Sequence, residues 1–192
     1  MSDRNTVMRS LRDVGLAAWF GGSLMGAVGL NGAAKEQGAS WQEGARIASS
    51  GWAMWTPVSA LAIGAHLVGS TGLLGANAAR VITQRGVASS TLAKTALTGA
   101  ALAATAYARA LGNKIEHACL DESQSSRAER HLAGTAQAER RLSYLQWTVP
   151  ALTCALIVLN ALHGEQQRPV QQIRGMWQRA RTVTPHPRNR LV

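Results

Sequence analysis

His66 is the residue of this chain whose setting most invites chemistry. It lies in an uncharged stretch running from Gly51 to Ala79, and an ionisable group within a membrane span marks a proton path or a ligand site by default. A haem or bis-histidine metal site needs a second histidine at similar depth, and His163 stands at the far end of its own apolar stretch. The residue types available favour a neutral His66 hydrogen-bonded across helices to Ser59, Ser70, Thr153 or Asn160. Asn160 is the sole interruption of the run from Ala155 to Leu162, and Asn31 sits at the opposite end of a different segment. Glu116, His117, Cys119, Asp121 and Glu122 carry enough donors for a divalent cation, but such a cluster describes a solvated loop equally well. There are no paired carboxylates in the apolar stretches and no HExxH or Walker pattern, and His186 stands alone in the tail. A non-catalytic protein without cofactor or metal is expected.

Small residues supply the second chemistry, close packing. Gly22 and Gly26 have GxxxG spacing and Gly29 follows them, an arrangement that lets two backbones touch in lipid. Ala96, Ala100, Ala104 and Ala108 recur every four residues, and Ala65 and Gly69 form a similar pair. These positions predict helix packing within one bundle, with an oligomer interface as the alternative.

The elements that would position these groups are membrane-spanning helices. Overall mean hydropathy is only −0.04, but the charges are segregated, with none from Val14 to Ala34, from Gly51 to Ala79 or from Leu142 to Gly164. Each stretch reaches the roughly 20 residues that cross about 30 Å of hydrocarbon. The sequence predicts an all-α, polytopic four-helix transmembrane bundle, with spans at about 14–34, 52–76, 92–111 and 143–163. The second helix is expected to begin near Trp55, with Pro57 in its first turn. The third span is the weakest, being rich in Ala, Thr and Gly, with Lys94 and Arg109 placed to snorkel to opposite interfaces. Arg4, Arg9 and Arg12 before the first apolar run mimic a signal peptide, but that run is long for an h-region and is read as a span.

A formal charge of +10 could mark nucleic acid or an anionic membrane surface. The basic residues lie beside apolar stretches, which excludes nucleic acid and fits a membrane protein. With the N-terminus inside, the inner parts hold twelve Lys and Arg and the outer loops eight. Trp52, Trp55 and Trp147 then fall at the outer boundary, where indoles anchor. Both termini are expected in the cytoplasm, with the chain multi-pass in the cell membrane.

Two domains follow: residues 1–164 as the transmembrane bundle, including a helical outer loop over 112–142, and residues 165–192 as a basic cytoplasmic tail. In the tail, Arg174, Trp177, Arg179 and Arg181 could lie on the membrane surface as a short amphipathic helix. The segments beginning Trp55-Thr56-Pro57 and Trp147-Thr148-Val149-Pro150 resemble one another faintly, which would make the two hairpins parallel repeats. Cys119 and Cys154 fit no disulfide framework and are read as free thiols. The expected role is an accessory or scaffold subunit of a larger membrane assembly, partnered by lipid and by another membrane protein or a second copy. The alternative is a small carrier or channel using polar groups near His66.

Overall fold

A computed structural model describes residues 3–76, 78, 85–121, 137–138 and 140–162. The chain opens with α1 (Asp3–Met25), passes through a π-helical turn (Gly26–Leu30) and continues as α2 (Asn31–Gln37). Then come α3 (Trp41–Ala76), α4 (Arg85–Asp121) and α5 (Arg140–Leu162). Among the described residues only Gly38, Ala39 and Ser40 lie outside helix, and no strand occurs. The protein is all-α, as its charge-free stretches predict.

Three rods are long and apolar enough to cross a membrane: Asn5–Gln37, Trp41–Ala76 and Arg140–Leu162, with mean hydropathies of 1.3, 1.5 and 1.6. They mark a membrane-embedded protein. α4 is not among them, because alanine, threonine and glycine give little to partitioning and Lys94 and Arg109 interrupt it. Packing holds it instead. Ala101 is fully buried, and with Ala104 it joins Leu16, Trp19, Ala62, Val149 and Leu156 in one core built from α1, α3, α4 and α5. Contacts divide the chain into two units, Met1–Ile157 and Val158–Val192. The core belongs to the first; of the second, only the end of α5 is described.

α3 does not begin near Trp55. It starts at Trp41, where Ser40 Oγ accepts from the Glu43 amide at 3.2 Å and Glu43 Oε2 accepts from the Ala39 amide at 3.1 Å. Together these make a variant of the Ser-x-x-Glu capping box in which the carboxylate reaches the amide one residue before the cap. Pro57 therefore lies inside the helix, where it has no N–H for the carbonyl of Ala53, a defect that a helix packed among neighbours tolerates. Gly38 permits the preceding turn, since a Cβ there would stand 2.5 Å from the Gly44 nitrogen.

The small residues differ in what opposes them. A Cβ on Gly15 would stand 2.5 Å from both the Ala62 oxygen and the His66 nitrogen, and one on Gly69 would collide with the backbone of Met8 and Arg12. These glycines, rather than the GxxxG pair, are where backbones meet. Gly22 and Gly26 instead face the rings of Trp55 and Trp52, and Gly29 is exposed with only Met25 of its own rod beside it. On α4, Ala96 and Ala100 are exposed, Ala104 is buried and Ala108 half-buried. A strict four-residue repeat advances about 400° per step at 3.6 residues per turn and drifts off any straight face. The buried face runs through Leu97, Ala101, Ala104, Ala108, Leu111 and Ile115.

Candidate functional site

The π-helical turn positions the first element of the site. Its extra residue rotates everything after it by about 100°, and Asn31 is the next residue. The Asn31 side chain bonds two other helices: Trp52 Nε1 of α3 donates to Oδ1 at 3.0 Å, and Nδ2 donates to Gln146 Oε1 of α5 at 2.7 Å. From α4, Arg109 Nη1 donates to the Trp52 carbonyl at 3.2 Å. That carbonyl lies next to the one Pro57 leaves without its donor. Nearer the turn, Ser49 Oγ donates to Glu116 Oε2 at 2.6 Å.

This network surrounds a cavity of about 730 Å³ in which α1, α2, α3, α4 and α5 all take part. Its inner end, with Trp19, Ile63 and Val149, carries no charge, and the hydroxyls of Ser23, Thr56 and Thr105 there are spent on carbonyls of their own helices; its outer end carries Lys35, Asn113 and Glu116. The docking of Trp52 and Trp55 on glycines shapes the wall. Trp19, 2% exposed, closes the inner end, with Nε1 donating to Thr105 Oγ1 at 3.3 Å.

His66 lies behind Trp19, and the two rings are 6.2 Å apart and tilted by 59°. Its Nδ1 bonds the Arg12 carbonyl at 3.2 Å, and because that oxygen can only accept, Nδ1 carries the proton. The partner is thus a backbone carbonyl of α1, not Ser59, Ser70, Thr153 or Asn160. Thr153 satisfies itself on the Val149 and Pro150 carbonyls, 2.8 and 3.1 Å away. His66 is 2% exposed and does not line the cavity. Asn160 lies in the last turns of α5, in the second unit. Among the described residues no three His, Cys, Asp or Glu side chains could hold a metal ion. Cys154 is free and exposed on α5, and Arg174, Trp177, Arg179 and Arg181 lie outside the described residues.

The site's main residues carry little weight in the sequence reading. The half-buried rings of Trp52 and Trp55 lie against Gly26 and Gly22 of the first rod, whereas Trp147 is exposed. Arg109 lines the cavity and donates to a carbonyl of α3. Asn31 and Gln146, each a lone amide near the end of an apolar stretch, were the available signal. Nothing in the sequence announces the π turn that brings Asn31 to Trp52. No protein-family model matches the chain, and neither the curated proteins nor the solved structures contain a similar one.

Proposed function

We propose that this is a non-catalytic integral membrane protein, an accessory subunit of a larger membrane assembly that binds a ligand at the hollow end of its bundle. The observation that carries this reading is the cavity: polar groups from several helices converge on it, while around His66 the backbones of α1 and α3 meet at Gly15 and Gly69. The reading includes four passes, with α4 crossing beside the three apolar rods and its Leu97, Ala101 and Ala104 side against their core. It also places both termini in the cytoplasm of the cell, on the count of twelve inner against eight outer Lys and Arg. The cavity then opens at the outer boundary.

The test is affinity purification in mild detergent, with mass spectrometry of co-purifying chains and lipids, comparing the wild type with Ala108→Phe. Ala108 lines the cavity, and a phenyl ring there narrows it without altering charge. A component present with the wild type and lost with the variant is expected. Identical composition would remove the cavity from the function and leave a scaffold working through its outer faces. One observation favours a carrier instead: Trp19 lines the cavity and its ring lies 6.2 Å from that of His66, so rotation of the indole would lead the path toward the histidine. Solute flux in proteoliposomes that rises on Trp19→Ala would support that reading.

A further inference from the structure

Resting on the cavity as the functional site, we propose that its ligand is an anionic amphiphile, an apolar chain ended by a carboxylate or phosphate whose head pairs with Arg109. The polarity gradient gives the pose, with the chain toward Trp19 and Ile63 and the head near Asn31 and Gln146. The charges give the sign. Lys35 and Arg109 face a single acid in the lining, Glu116, and that carboxylate already accepts from Ser49. Arg109 is half-buried, uses one of its five donors on the Trp52 carbonyl and has no ion-pair partner among the described residues. A guanidinium in that setting favours a charge partner strongly, and its planar fork matches carboxylate or phosphate.

Size and place agree. The volume falls within the roughly 300–1,000 Å³ of small-molecule sites. The 36 residues of α3 extend about 54 Å at 1.5 Å each, against about 30 Å of hydrocarbon. The cavity follows α3 from Trp41 to Ile63 and so runs from the headgroup level beside Glu43 and Arg46 into the depth of the acyl chains. Two sources share this chemistry, fatty acids and single-chain phospholipids.

The experiment is native mass spectrometry of the full-length protein from phosphatidylcholine nanodiscs, titrated separately with oleate, lysophosphatidate and neutral monoolein. A one-to-one complex is expected with oleate, lysophosphatidate or both, at concentrations where monoolein does not bind; which one binds tells the sources apart. Arg109→Gln should weaken the complex about tenfold or more, the loss of one charge-assisted contact. Arg141→Gln, which removes an exposed guanidinium bonded to Tyr107, should leave it unchanged. Should Arg109→Gln fail to fold by circular dichroism, the wild-type comparison of oleate with monoolein decides alone. Monoolein binding as tightly as oleate, or a folded Arg109→Gln protein binding as the wild type does, would overturn the anionic head and leave the cavity standing. No complex with any of the three on folded wild-type protein would overturn both.

Discussion

The two halves of this bundle use the same residue type to opposite ends. Around His66, Gly15 and Gly69 let α1 and α3 touch backbone to backbone, and the space is filled. Toward the turn at Gly38, Gly22 and Gly26 face the rings of Trp55 and Trp52, whose bulk holds the helices apart and leaves a cavity. A glycine seals a helix pair when backbone opposes it and opens the pair when a large ring does. In lipid, where no hydrophobic effect draws helices together, that choice of opposing atom decides whether a crossing is solid or hollow.

Substitution at the solid crossing should have the largest effect. Gly15→Ala puts a methyl against backbone atoms that cannot swing away, and a loss near the top of the about 1–3 kcal/mol range for overpacking is expected in detergent unfolding. Gly22→Ala meets a ring with the cavity behind it, so about 1 kcal/mol or less is expected, together with a change in tryptophan emission. Equal losses at the two sites would abolish the distinction between them. Asn31→Leu removes both bonds of the hollow end; intramembrane hydrogen bonds average about 0.6 kcal/mol each, so a loss of about 1 kcal/mol is expected. A loss several times greater would make the amide network, and not the glycine crossing, the main tie between the helices. Smallest of all should be Ala100→Leu, within about 0.5 kcal/mol because the residue is exposed, whereas Ala101→Leu should destabilise clearly. A large effect at Ala100 would mean that another chain packs on that face.

The helices were legible because segregated charge records which stretches lipid can accept. Their ends were less so. The capping box at Ser40 and Glu43 outweighs the proline at 57, which reads as a first-turn residue only when the preceding cap is passed over. The ridge on α4 is misplaced by the simple arithmetic of 3.6 against 4, which leaves Ala96 and Ala100 outside and brings Ala101 in. The site was the least visible part. Its polar groups come from α2, α3, α4 and α5, and they meet only because a π turn, invisible in residue type, rotates Asn31 toward Trp52.

Ser59 and Ala62 lie three residues apart on α3, one lining the cavity and the other buried at the Gly15 crossing. A comparison of their reactivity tests most directly whether the bundle is hollow on one side and solid on the other. With Cys119 and Cys154 replaced by serine, Ser59→Cys and Ala62→Cys would each be treated with a small charged methanethiosulfonate in proteoliposomes. The account predicts rapid labelling of the cysteine at 59 and none at 62 while the protein stays folded. Labelling of both at similar rates, or of neither, would contradict it.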